Sequence, residues 1–536
     1  MKRAKTPYFQ MNFGDRFLNL SDRGKKEIRD SALGHFGDEI LPLIDPNDFA
    51  VLYSENGRGP ANLQTLVAAY LIMNMEHMTA DELSMRIDSD VAVQYALGTT
   101  SLHKQPFSRR NLFYFMAHLE EYQAETGIDL IEQCFKNTTS YFAKEMGFDH
   151  PGNCGRTKKR MDSFMVESNT ERLPRTGIIY EVNQDALQLF AGLQGIAEIA
   201  PSLLHYLDDS DENAVIYHNK DGLEEKLRQL LKESKMILEL LQDEEWHEFQ
   251  EYKNLVRVIS DQSYERWDGT LIPIPGSEIK GSSLQTPEDP DATARIKAGK
   301  VHVGQVANVT EAYGENGSLI TEADITNNLH SDSSFMQEYI EAKPEEVEHE
   351  EQVVTDGAYY TIENAEQAES KGVVVIPTSL TGDETPELCS DFKMSEDGTK
   401  LDDCPNHKVP YSQKYNAKTG KVDAKFSHAD CDHCPFRNQC PGKDQKKAVK
   451  VTISTGMINR AELQQSIGTE QYKQFCRERN GVEAIPSIFR RKYHIDELRT
   501  RITERIRSRF FAICIAYNGQ KHKKFLDMHR VKCAQF

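Results

Sequence analysis

Apolar positions recur at helical spacing through residues 1–150. Leu66, Tyr70 and Met73 mark one helix, and the segment from Thr79 to Leu97 carries a second helical pattern. In PFSRRNLFYFMAHLEEY, Ser108 stands as the N-cap of a third helix, with Arg109 and Arg110 in its first turn. Short helices joined by turns, with arginines at a helix start, suit a helix-turn-helix DNA reader or an all-helical packing domain. The pattern then changes at KKRMDSFMVES, a strand-like run that follows a basic cluster and contains Asp162.

Leu223, Leu227, Leu230, Leu231, Leu238 and Leu241 mark an amphipathic helix within a largely helical stretch reaching about Asp261. This stretch separates Asp162 from the next strand signals, so it reads as a helical insertion at about 180–285, its leucines serving as core packing. The loop TPEDPDATARIKAGK ends it. Val301–Thr310 and Leu319–Thr326 flank GENG and predict a hairpin. SSFMQEYIEAK reads as a helix, Gln352–Thr355 as a strand ending at Asp356, Ile362–Ser370 as a helix and Val373–Ile376 as a buried strand. From Pro377 to about Ser454 the chain is loop-rich and holds Cys389, Cys404, Cys431, Cys434 and Cys440. Helices follow Gly456 to about Asn518, and residues 520–536 read as a loosely attached basic tail.

At 536 residues the chain exceeds one ordinary core, and two or three domains are expected. The pattern divides it into a helical N-terminal domain (1–150), a mixed strand-and-helix part with the insertion (151–378), a Cys-cluster module (379–450), a helical end (451–519) and the tail (520–536). No run is long enough to span a bilayer, and MKRAKTPYFQMNFGDRF lacks an apolar leader core. Ten cysteines without a secretion signal read as reduced thiols or metal ligands, which places the protein in the cytoplasm. The net charge of −20 counts against a nucleic-acid partner. Its distribution softens that objection. From Ala484 onward 13 Lys and Arg face four Asp and Glu, and the acid excess sits in Glu239–Glu251 and Glu341–Glu351.

Candidate chemistry centres on three carboxylates. Asp162, Asp356 and Glu483 each stand where a different local pattern presents an acid, Glu483 among the basic residues of CRERNGVEAIPSIFRRKY. Carboxylates from separate elements can converge on divalent ions, and two such ions can hold the attacking and leaving oxygens of a phosphodiester. Cys431-Asp-His-Cys434, followed by Cys440 and preceded by Cys404, suits a tetrahedral Zn2+ that staples a segment of low apolar content. His407, His428 or His433 are substitute ligands, and reduced cysteines without metal are the alternative.

The order of these segments resembles the transposases of bacterial insertion sequences that carry a DDE catalytic domain. LYSENGRGPANLQTLVAAYLIM, LSMRIDSDVAVQYALG and PFSRRNLFYF resemble their helical N-terminal domain. KKRMDSFMV, VVTDGAYYTIENAEQAESKGVVVIP and ERNGVEAIPSIFRRKY resemble the segments carrying the two aspartates and the glutamate. CPNHKVPYSQKY and CDHCPFRNQC resemble a cysteine-bearing insertion common among them.

The resemblance implies a mixed α/β RNase H-like core with a helical insertion, preceded by an all-α domain. It assigns catalysis to Asp162, Asp356 and Glu483 with two Mg2+ (or Mn2+) ions. It implies cleavage of element-end phosphodiesters and strand transfer to target DNA, and a homodimer on double-stranded DNA bearing terminal inverted repeats. A bacterial, nucleoid-associated protein follows. Of the family's Tyr-Arg-Glu-Lys signature, Arg479 and Glu483 match, while Cys476 replaces Tyr and Arg490 replaces Lys. Arg109, Arg110, Arg479, Arg490 and Arg491 are the candidate DNA contacts. A non-catalytic DNA-binding derivative and a metal-dependent nuclease without strand transfer are the competing readings.

Overall fold

The computed structural model describes residues 14–54, 62–101, 106–149, 156–208, 221–297, 299–345, 350–382, 384–498 and 500–534. Residues 55–61 of the segment LYSENGRGPANLQTLVAAYLIM lie outside them. The chain forms two compact units. The first comprises Met1–Asp149, Ser163–His330 and Ile485–Phe536, and the second His150–Asp162 and Ser331–Ala484. Strand β1, Arg156–Glu167, contributes its first half to the second unit and its second half to the first.

In the first unit the N-terminal helices form where capping signals meet apolar periodicity. Every residue of Leu63–Met75 is buried, so this helix is apolar all round and sits inside its bundle. Ala80–Ser89 starts at a capping box between Thr79 and Glu82, and Val91–Ala96 starts at Asp90. Arg109–Thr126 begins at Ser108, as the sequence predicts, and ends at Gly127 with φ of 72°. Leu130–Met146 follows from an Asp129 cap.

The final helix runs Thr503–Ala534 and is buried continuously from Phe510 to Ile515. Residues 520–534 therefore continue this helix, packed through the buried His522 and Phe525 and exposed from Asp527 to Arg530, where a loose basic tail is expected from composition. The basic residues obscured its inner face. Asn518 bonds both backbone groups of Ile320, donating at 2.8 Å and accepting at 2.9 Å, which fixes this helix to a strand edge.

The insertion builds its own core. Helices Arg175–Gln194, Leu223–Leu240 and Gln250–Gln262 bury Ile179, Leu187, Leu230, Leu231, Ile237 and Leu255 around Tyr206 and Trp246. Leu223 faces outward. A small antiparallel pair follows, β2 (Ser263–Glu265) with β3 (Leu271–Pro273). Thr293–Lys297 forms strand β4, paired with the start of β5 (Lys300–Gly314), although a loop is expected there. Gly299, at φ of 76°, permits the reversal. β5 pairs in turn with β6 (Gly317–Asn327) in the hairpin the sequence predicts. β5 also pairs with β1.

In the second unit β1 pairs in parallel with β7 (Glu350–Thr355), and β7 pairs in parallel with β8 (Val373–Pro377). Helix Ile362–Ser370 makes the crossover, as expected. Lys159 points inward and meets Glu351 at 2.9 Å, and Lys343 meets the same carboxylate at 2.8 Å. Burial alone would raise the Glu351 pKa, but the two lysines outweigh it and hold that carboxyl at about 2.

The cysteine region is more ordered than its composition implies. Besides the short pair β9 (Lys393–Met394) and β10 (Leu401–Asp403), it forms an antiparallel sheet in the order β11-β12-β14-β13. These strands are Ser412–Asn416, Lys421–Phe426, Ala448–Ile453 and Lys443–Gln445 respectively. Phe392, Leu401, Val422, Phe426, Val451 and Ile453 give it an apolar core, so a loop-rich segment of little apolar content is not what folds. Helices Thr455–Ile467 and Glu470–Arg479 complete the unit. Among the described residues no helix is long and apolar enough to cross a membrane.

Candidate active site

All three candidate acids fall in the second unit. The β1–β7 register pairs Arg160 with Val354, so two residues further on Asp162 stands level with Asp356. Neighbouring strands lie about 4.8 Å apart, which brings Asp162, within β1, beside Asp356 at the C-terminal end of β7. The Asp356 carboxylate is aimed through Oδ1, which accepts from the Gly357 amide at 2.6 Å and the Ser379 hydroxyl at 2.9 Å. A side chain at Gly357 would collide with the Ser379 carbonyl at 2.5 Å, so this bend requires glycine.

Glu483 sits in the turn between helix Glu470–Arg479 and helix Ala484–Tyr493. Pro486 is the third residue of the second helix, where its missing N–H leaves no helical bond unmade. A continuous helix through Arg479, Glu483 and Arg490 is therefore interrupted, yet the tight turn still brings Arg479 and Glu483 together.

Arg479 joins the acids. Its Nη2 donates to Asp162 Oδ1 at 3.0 Å and its Nη1 to Glu483 Oε1 at 2.7 Å. Burial acts to lower the Arg479 pKa, but attraction from Asp162, then Asp356 and Glu483, outweighs it and raises the value. Arg479 and Asp162 are 13% and 18% exposed, whereas Glu483 is 55% exposed. No three of these carboxylates approach within 4.8 Å of one another among the described residues. A guanidinium thus stands in for positive charge among three hard oxygen donors, and that donor set fits divalent cations.

Sequence reading missed the partners that hold this turn. Arg160 Nη1 donates to the Glu478 carbonyl at 2.7 Å, and Lys158 Nζ lies 3.4 Å from the Glu478 carboxylate. A Cβ at Gly481 would meet Arg160 Nη1 at 1.9 Å, so only glycine allows the guanidinium to lie there. The basic cluster before Asp162 was the only available signal. It fixes the glutamate-bearing turn against β1.

The candidate DNA contacts in the first unit are exposed but engaged locally. Arg109 pairs with Asp81 at 2.8 Å and lies over Phe113, while Arg110 lies over Tyr114 and donates to its hydroxyl at 2.7 Å. Arg490 pairs with Asp496 at 2.8 Å and donates to the Met165 carbonyl at 2.6 Å, while Arg491 is exposed.

Cys404, Cys431, Cys434 and Cys440 line one cavity of about 30 Å³, together with Asp430 and Arg437. Burial pushes the Cys431 thiol to about 11, with the neighbouring sulfurs adding to the effect, and raises Cys440 as well. The buried Cys389 thiol, also raised to about 11, adjoins Cys440 and was absent from the sequence-derived ligand set. Crowded sulfur donors suit Zn2+, although no three of them lie within 4.8 Å among the described residues. Among the substitute ligands, His428 is engaged by the Gln445 carbonyl and His407 is 78% exposed.

Comparison with known proteins gives these sites their context. The family described as "Transposase DDE domain" matches residues 403–522, which include Glu483 and the four cysteines, and "Transposase domain (DUF772)" matches residues 26–117. Both matches are to transposase domains, and the protein is a DNA transposase. More particularly, the two matches support a DDE-type transposase of an insertion sequence. The DDE family implies nuclease and transesterase activity and generally uses divalent metal ions. Among solved structures, a piggyBac transposase synaptic complex with hairpin DNA overlaps at 8% identity, covering 94% of this chain and 75% of that one. The TM-score is 0.32. No curated protein matches the chain.

Proposed function

We propose that this transposase cuts phosphodiester bonds at the ends of its element and joins the exposed 3′-hydroxyl to target DNA, using Asp162, Asp356 and Glu483. The observation that supports the reading most is Arg479, held among three carboxylates delivered by a strand, a strand end and a turn. Bound there, two Mg2+ (or Mn2+) ions supply Lewis-acid stabilisation of the attacking and leaving oxygens. Asp162 and Asp356 come from adjacent parallel strands and are the fixed pair, whereas Glu483 is the accessible third. Arg479 keeps the acids gathered, and its planar fork can take a phosphate oxygen once their charge is shared. Water attacks first and the DNA 3′-hydroxyl second, each in line with its leaving group.

Arg109 and Arg110 are assigned to binding the terminal repeats, and Arg490 and Arg491 to phosphates beside the scissile bond. The Cys404, Cys431, Cys434 and Cys440 set is assigned one structural Zn2+. Pairing two DNA ends calls for a homodimer acting on the bacterial nucleoid in the cytoplasm. A joining assay with pre-cleaved element ends in Mg2+ tests the reading. Joined product is expected. Cut product alone on intact ends would make the protein a nuclease, and binding alone a non-catalytic derivative.

A further inference from the structure

The first unit holds a cluster of chelating side chains that transposition does not use. Glu39, Glu145 and His522 each offer a ligand atom, all within 4.8 Å of one another. Glu39 lies on a π-helical turn, Phe36–Ile40, whose N-cap is His35. Single π turns are frequent at functional sites, because the extra residue re-aims a side chain. Glu145 comes from the last turn of helix Leu130–Met146, and His522 from the final helix.

Two buried histidines stand at this cluster. His35 is 7% exposed and His522 fully buried, with ring centroids 5.3 Å apart. His522 Nε2 lies 2.7 Å from Glu145 Oε2. Yet His35 Nε2 and His522 Nδ1 are buried and make no hydrogen bond to any described residue. A simple His522–Glu145 pair would account for one bond and leave both of these nitrogens orphaned. Buried polar groups in native proteins are normally satisfied.

We propose that Glu39, Glu145 and His522 form a Zn2+ site separate from both the cysteine module and the catalytic acids, with His35, its ring beside that of His522, shifting to become the fourth ligand. Two imidazole nitrogens with carboxylate oxygens suit Zn2+, whereas Mg2+ favours an all-oxygen shell. The site fastens the first N-terminal helices to the final helix through residues far apart in sequence.

The test is Zn2+ titrated into the full chain, with the bound metal counted after removal of free zinc and Tm followed in parallel. Glu39→Gln with Glu145→Gln replaces two partly exposed carboxylates by neutral isosteres. This double variant is expected to bind one zinc fewer than wild type, to weaken that site at least tenfold and to lose most of the zinc-dependent rise in Tm. Cys431→Ser is expected to leave this site's zinc in place. His522→Gln should lose the same zinc as the double variant, and if it does not fold, the double variant decides alone. An unchanged zinc count and an unchanged Tm response in the double variant would overturn the proposal, whatever the transposition assays show.

Discussion

Replacing Arg479 by Gln should destabilise the metal-free protein and make it more responsive to divalent metal. Its contact with Asp162 is largely sequestered, at 13% and 18% exposure and 3.0 Å. Removing one partner of a buried pair costs roughly 3–5 kcal/mol, because the other charge is left uncompensated. The Glu483 arm is 55% exposed and adds only a few tenths of a kcal/mol. Because Asp162 keeps a further interaction, the lower end applies, and a loss of about 3 kcal/mol is expected. Denaturant unfolding at neutral pH, with and without Mn2+, reads it. Mn2+ should recover most of the loss in Arg479→Gln and stabilise wild type less, since the wild-type acids already hold a guanidinium. Asp356→Asn added to Arg479→Gln should blunt the recovery. Wild-type stability without metal, or a metal response no larger than wild type, would show that Arg479 does not hold these acids together.

Protein purified without chelators should carry zinc that thiol modification releases, and Cys431→Ser should lose it and destabilise the module of residues 404–440; an unchanged metal content would remove Cys431 from the ligand set. DNA-end binding should weaken steeply with salt despite the charge of −20, because distant acids are screened beyond about 8 Å at physiological ionic strength. Ala at Arg109 and Arg110 should mainly reduce end binding in a mobility assay, while Ala at Arg491 should mainly reduce cleavage; equal losses in both assays would contradict this division. Arg491 is the cleaner probe because Arg490 also braces Asp496. Glu351, held at about 2 against an ordinary 4.5, stabilises the fold fully above pH 4.5, and that contribution falls away toward pH 2. About 3 kcal/mol is at stake, so acid unfolding of Glu351→Gln should show a much flatter dependence across that window than wild type.

Local signals were legible where a single stretch of chain carries them. Ser108 caps its helix because its hydroxyl meets the Asn111 amide three residues on, and the GENG turn closes a hairpin between adjacent strands. Signals that depend on distant partners were not. Arg160 finds the Glu478 carbonyl 318 positions away, and no local pattern encodes that bond. Thr293–Lys297 becomes a strand because Lys300–Gly304 pairs with it, despite the flanking Pro, Asp and Gly. The end of the final helix carries Lys521, Lys523 and Lys524 around a buried His522, so composition pointed outward while one face packed inward. The three acids could be picked out individually, but their gathering around Arg479 depends on the β1–β7 register and on the turn before Pro486, which sequence spacing alone does not fix.

Strand cleavage of an element-end duplex in Mg2+ by Asp162→Asn, Asp356→Asn and Glu483→Gln, with end binding measured on the same preparations, decides whether the three acids act as one metal site. Cleavage at background for all three and end binding close to wild type are expected, because each change removes a proposed metal ligand and leaves the DNA contacts in place. Near-normal cleavage by any one of them would contradict this and remove that residue from the site.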